Sequence, residues 1–158
     1  MPRTIVLDTF PLSSIGKREP LPGVVATLSE ECHQWIKSCL QAGNEIIVPS
    51  LAYYEAMREL KRLDATSQIA RITRFCQVVP NRLISVDDSH LEMAATLWSQ
   101  ARKLGKPTAS PESLDGDVIL VAQVLSRNLL NSQFVVATTN PGHLGLFLPA
   151  DDWRNIIP

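Results

Sequence analysis

Four carboxylates, from three distant segments of the chain, sit where an apolar run gives way to a helix or where a helix begins: Asp8, Glu55, Asp115 and Asp117. Asp8 closes the β-branched run Arg3–Leu7 (RTIVL). Glu55 lies in the helix after a second run, Glu45–Val48 (EIIV), with Leu51, Ala52, Tyr53 and Tyr54 before it. Asp115 and Asp117 stand at the entrance of a strongly apolar helix, and Thr138, Thr139 and Asn140 close a late run, Phe134–Thr138 (FVVAT). Carboxylates held side by side resist joint ionisation unless a cation neutralises them. Ligands made only of oxygen suit Mg²⁺ or Mn²⁺. An ion of that kind acidifies a bound water and offsets charge on a phosphodiester under attack. The chemistry to test is therefore metal-assisted phosphodiester hydrolysis. Each acid also has an ordinary role open to it. Asp8 and Asp115 or Asp117 can cap helices, and Glu55 can pair with Arg58 or repel Glu59 on its own helix.

The elements that must position these groups follow from hydrophobic periodicity. Strands are expected at Arg3–Leu7, Glu45–Val48, Leu83–Val86 and Phe134–Thr138, with a last short strand or turn near Trp153. Helices are expected over Val24–Gln41, Leu51–Leu63, Ala65–Val78, Ser89–Leu104 and Leu114–Leu130. Ser13–Gly23 and Gly105–Ser113, rich in Gly, Pro and Ser, read as loops. Pro49-Ser50 starts the second helix, with Ser50 as cap or Pro49 in the first turn, and Gly43 and Asp87 or Asp88 are further caps. Short apolar strands alternating with helices predict an α/β fold: one domain over residues 1–158, with a mostly parallel central sheet flanked by helices. In such sheets ligands bind beyond the carboxyl ends of the strands, which is where these acids fall.

Composition narrows the function classes. The 158 residues carry 15 Lys and Arg against 16 Asp and Glu, a net charge of −1, which excludes a uniformly basic nucleic-acid coat and an acidic disordered chain. No apolar run approaches the roughly 20 residues of a membrane span, and the first ten residues are too short in apolar stretch for a signal peptide. The three cysteines, Cys32, Cys39 and Cys76, have no CxxC spacing. They read as reduced core thiols of a cytoplasmic protein rather than as zinc ligands with His33. Bases are uneven: Arg58, Lys61, Arg62, Arg71, Arg74 and Arg82 lie close together, with a smaller group at Arg102, Lys103 and Lys106. Arg58 and Arg62 are the candidates for RNA phosphates; a solvated, ion-paired helix face is the plainer reading. Trp35, Tyr53, Tyr54 and Trp98 fit packing stripes in the core or at a dimer surface. A phospho-acceptor receiver also places acids at strand ends. It would want an acidic pair near Asp8 and a Lys after Phe134, and the chain has neither.

Four segments in order resemble the PIN-domain ribonucleases, most closely the VapC toxins: IVLDTFPL (Ile5–Leu12), VPSLAYYEAMREL (Val48–Leu60), LDGDVILVAQVL (Leu114–Leu125) and FVVATTNPGHLGLF (Phe134–Phe147). The resemblance implies a PIN-like fold and a Mg²⁺- or Mn²⁺-dependent endoribonuclease. Asp8, Glu55 and Asp117 would form the catalytic and metal-binding cluster, with Asp115 beside it and Thr9, Thr139 and Asn140 supporting. It further implies a homodimer, a VapB-like antitoxin partner that places a basic side chain in the pocket, RNA as substrate and no membrane association. One departure stands out. Many PIN domains carry a further Asp after the strand threonine, where this chain has Asn140, which adds no charge. That substitution keeps open a catalytically weak or inactive binding module.

Overall fold

The computed structural model describes residues 1–110 and 115–158. Pro111–Ser113 of the expected loop, and Leu114, where the late helix was expected to start, lie outside the described residues. The elements run β1 Thr4–Leu7, α1 Thr9–Ser14, α2 Leu28–Gln41, β2 Glu45–Pro49, α3 Ser50–Arg62, α4 Thr66–Gln77, β3 Leu83–Ile84, α5 Asp88–Lys103, α6 Gly116–Leu125, β4 Phe134–Thr138, α7 Pro141–Leu144 and β5 Ala150–Asp152, followed by a 3₁₀ turn at Trp153–Asn155. The sheet has five strands in the order β3-β2-β1-β4-β5, and every neighbouring pair is parallel. The expected α/β fold is present.

The two central strands are buried along their whole length, β1 as Thr4–Leu7 and β4 as Phe134–Thr138. Continuous apolar runs are what a parallel sheet covered on both faces requires. They pair in register from Thr4↔Phe134 to Leu7↔Ala137, and the Asp8 amide extends the ladder by donating to the Ala137 carbonyl at 3.0 Å. Strand order reverses between β1 and β4. The carboxyl edge at that reversal is the place where open α/β sheets bind ligands.

Several expected boundaries move. The helix expected from Val24 begins at Leu28, where Thr27 caps it by accepting from the Glu30 amide. Val25, expected on the core stripe, is instead 94% exposed; the buried stripe is Cys32, Trp35, Ile36 and Cys39. The late helix stops at Leu125 rather than Leu130, with Ser126 as cap and Asn128 in the left-handed region at φ 54°. The strand expected over Leu83–Val86 keeps only Leu83–Ile84, and Ser85 and Val86 are exposed. At the start of α3, Pro49 takes the cap position and offers no side-chain bond. The missing cap comes from another helix: Gln123 of α6 accepts from the Leu51 amide at 3.2 Å. All three cysteines are buried. Burial pushes the Cys32 thiol up to about 12 and those of Cys39 and Cys76 to about 11, which suits packing and not metal ligation or nucleophilic chemistry. Among the described residues no helix is long and apolar enough to cross a membrane.

Candidate active site

Asp8 is the hinge of the site. It caps α1, with Oδ1 accepting from the Thr9 amide at 2.8 Å, while Oδ2 accepts from the Thr138 hydroxyl at 2.7 Å. The cap and the candidate ligand are thus the same side chain. The second bond ties the end of β1 to the end of β4. Thr138 is fully buried, and its hydroxyl also accepts from the Asn140 amide at 3.0 Å.

Glu55 comes in from α3. The Thr9 hydroxyl donates to its Oε2 at 3.0 Å, so Thr9 lies between Asp8 and Glu55. Asp117 comes in from the first turn of α6, where Gly116 packs against α3. A Cβ on Gly116 would stand 2.7 Å from Glu55 Oε1 and 3.2 Å from Leu51 Cδ2. A side chain there would fill the space against the Glu55 carboxylate. Oδ2 of Asp117 takes a hydrogen bond from His143 Nδ1 at 3.0 Å.

The electrostatics record the convergence. Burial first, then the nearby charges of Asp8 and Asp117, hold the Glu55 carboxyl above its usual range, against the hydrogen bond from Thr9 and the charge of Arg58. Burial likewise raises Asp117, reinforced by Asp8 and Asp115 and opposed by His143. Asp8 acts on both, so the three acids share one field. They approach through hydroxyls rather than around a common point. Among the described residues no three His, Cys, Asp or Glu groups close on a single ion position. The donor set nonetheless fits a hard divalent cation. It consists of oxygen donors, two of them carboxylates disfavoured in their charged form, with one of these packed closely against a glycine.

Other expected residues lie elsewhere. Asp115 is buried as the cap of α6, taking the Val118 amide on Oδ1 and the Thr108 hydroxyl on Oδ2, so both its oxygens are engaged outside the cluster. Thr139 is exposed; Thr138, one residue earlier, is the hydroxyl on Asp8. Thr138 is the last residue of β4, and Thr139 lies beyond it in a bend. Asn140 lies next to His143, Nδ2 to Nδ1 at 3.2 Å. Of the bases, Arg58 is exposed with its guanidinium 5.5 Å from the Tyr54 ring centre, whereas Arg62 is paired with Glu59. Arg82 is buried, donating to the Phe75 carbonyl, and Arg71 and Arg102 donate to the carbonyls of Gly16 and Ala109. Those three arginines brace the chain rather than form a phosphate-binding face. Sequence reasoning gave no role to His143 or Gln123; their only signal was a polar type inside an otherwise apolar motif.

The chain matches no known family profile, and no curated protein matches it in sequence. Among solved structures its fold is similar to VapBC-1 from nontypeable Haemophilus influenzae, at 15% identity and a TM-score of 0.63, covering 96% of this chain and 99% of that one. It is similar to VapBC2 from Rickettsia felis bound to a DNA fragment from their promoter, at 12% identity and a TM-score of 0.65, covering 95% and 98%. It is also similar to FitAcB from Neisseria gonorrhoeae, at 18% identity and a TM-score of 0.65, covering 96% and 99%. At these identities the likeness is one of fold, and it runs along nearly the whole chain.

Proposed function

We propose that this chain is a VapC-like toxin: a Mg²⁺- or Mn²⁺-dependent endoribonuclease of the PIN type, acting in the cytoplasm and silenced by an antitoxin. One observation carries the reading. Asp8, Glu55 and Asp117 lie within electrostatic reach of one another, two of them linked through Thr9, at the carboxyl edge of a fold shared with three structures of VapBC or FitAcB. Asp8, Glu55 and Asp117 would hold the cation, which when bound would neutralise the carboxylates, acidify the attacking water and offset charge on the phosphate. The residues of the chain do the positioning. Thr138 holds Asp8 and Thr9 holds Glu55. The exposed Thr139 hydroxyl and Arg58, which has no ion-pair partner among the described residues, are available to RNA phosphates. Asp115 supports the site from behind, by fixing the first turn of α6 and by its charge on Asp117. The names of the fold neighbours motivate the partner: a VapB-like protein that offers a basic side chain to the acids, on a homodimer of this chain.

The test is cleavage of a mixed RNA pool with Mn²⁺ or Mg²⁺, comparing wild type with Asp8→Asn and Asp117→Asn. Cleavage by wild type alone is expected. Equal cleavage by all three proteins refutes the catalytic assignment, and metal binding without cleavage of any RNA leaves the binding module as the correct reading.

A further inference from the structure

The position where a further acid was expected is occupied by Asn140, and the structure shows what accompanies that change. After β4 the chain makes a single helical turn, α7, which is anchored at its far end. Leu144 is 1% exposed in the core. Gly145 follows, and a Cβ on it would lie 2.6 Å from the Pro141 carbonyl oxygen, so only glycine closes the turn this tightly. The Gly145 amide donates to that same carbonyl at 2.8 Å. His143, one residue before the buried Leu144, is thereby carried to Asp117 on a braced turn rather than on a loose loop.

The imidazole meets Asp117 through Nδ1, at 3.0 Å from Oδ2. A carboxylate oxygen only accepts, so Nδ1 carries the proton and donates it. The other oxygen, Oδ1, has no hydrogen-bond partner among the described residues. With Nδ1 protonated, the Asn140 Nδ2 at 3.2 Å, itself a donor, makes no hydrogen bond to it; the Asn140 backbone amide is held by Thr138, the residue that also holds Asp8. One short segment, 138–143, therefore holds two of the three acids, each through one oxygen.

We infer that His143 is a positioning residue for Asp117. It fixes one oxygen of that carboxylate and leaves the other for the cation, doing by orientation what a further acid at position 140 would do by charge. This rests on the nuclease reading of the same pocket. Groups that orient a ligand from behind are typically worth about 10- to 100-fold in metal affinity. His143 is partly exposed.

The experiment measures Mn²⁺ binding by calorimetry, together with RNA cleavage and melting temperature, for wild type, His143→Ala and His143→Gln. The alanine variant is expected to bind Mn²⁺ about tenfold or more weakly, to cleave more slowly at limiting Mn²⁺ and to recover at high Mn²⁺, with its melting temperature unchanged. The glutamine variant, whose amide still donates, is expected to recover part of the affinity. Wild-type Mn²⁺ affinity in His143→Ala, with cleavage intact in wild type, overturns the positioning role and leaves the nuclease reading standing. Failure of wild type itself to bind Mn²⁺ or cleave RNA overturns both.

Discussion

Helices α3 and α6 meet at two levels, and polar groups are handled in opposite ways at the two. At the lower level Gln123 is fully buried and saturated. Its amide nitrogen donates to the Ile84 carbonyl at 2.6 Å and to the Ser50 hydroxyl at 3.0 Å, while its oxygen accepts from the Leu51 amide. Every strong donor and acceptor has a neutral partner, so the node stabilises the fold and fixes the approach of α6 to the start of α3. At the upper level Glu55, Asp117 and Asp8 bring like charges into a half-buried space, with hydroxyls and one imidazole to share. That arrangement opposes folding in the absence of a cation. A satisfied network and a frustrated one, on the same two helices, separate the part of the interface that holds the structure from the part proposed to do chemistry.

The comparison breaks most sharply if the two levels are mutated in turn. Asp8→Asn keeps one acceptor for the Thr9 amide, turns the atom facing the Thr138 hydroxyl into a donor, and removes the charge felt by both other acids. Cleavage is expected to fall about a thousandfold, the worth of several kcal/mol of charge stabilisation, with melting temperature equal or higher. A large loss of stability would place Asp8 in the structural class. Gln123→Leu should do the reverse. It leaves the Leu51 amide and the Ile84 carbonyl buried without partners, for a destabilisation of about 2–4 kcal/mol in urea unfolding. A stability within experimental error of wild type would refute the node.

A third test uses pH. Glu55 and Asp117 have folded-state pKa values raised above those of the unfolded chain. Between the unfolded and the folded value the folded protein therefore binds more protons. The contribution of these groups to stability falls as pH rises through that interval, and the penalty stands in full above it. In chelator, Glu55→Gln should melt above wild type at pH 7, with the gap closing as the pH is lowered below the ordinary carboxylate range. A gap independent of pH would contradict the raised values. Mn²⁺ should shrink the gap at pH 7 by stabilising wild type. The smallest stability effect is expected for Gly116→Ala. Helix propensity favours alanine by roughly 1 kcal/mol, and the atom displaced is the flexible end of Glu55. Stability should stay within about 1 kcal/mol while cleavage drops severalfold; unchanged cleavage would show that the close fit of Gly116 to Glu55 is not needed.

The strands were legible because a parallel sheet buried on both faces demands unbroken apolar runs, and Ile5–Leu7 and Phe134–Ala137 are such runs. Asp8 was legible for the same reason, since an acid ending a buried strand marks its carboxyl edge. The choice between Thr138 and Thr139 was not. Both close one run, and only the pairing of Thr138 with Asp152 of β5 shows that the strand ends there and leaves Thr139 beyond it. The cap reading left Asp115 and Asp117, two residues apart at one helix start, interchangeable, and only the resemblance set Asp117 ahead. Helix geometry separates them, leaving one as the cap with both oxygens engaged and sending the other toward Glu55 and His143. The basic cluster looked like one surface, yet Arg82 is buried and Arg62 is spent on Glu59.

By itself, then, the sequence determined the alternation of strands and helices, the parallel sheet and the edge at which Asp8 and Glu55 would be found. These depend on local pattern, which a linear chain displays directly. Tertiary structure alone decided which hydroxyl holds Asp8, that His143 meets Asp117 across 26 positions of chain and that Gln123 caps a helix 72 positions away. The physical reason is that a hydrogen bond acts over about 3 Å in space. Sequence spacing constrains such a distance only within a turn or two of helix.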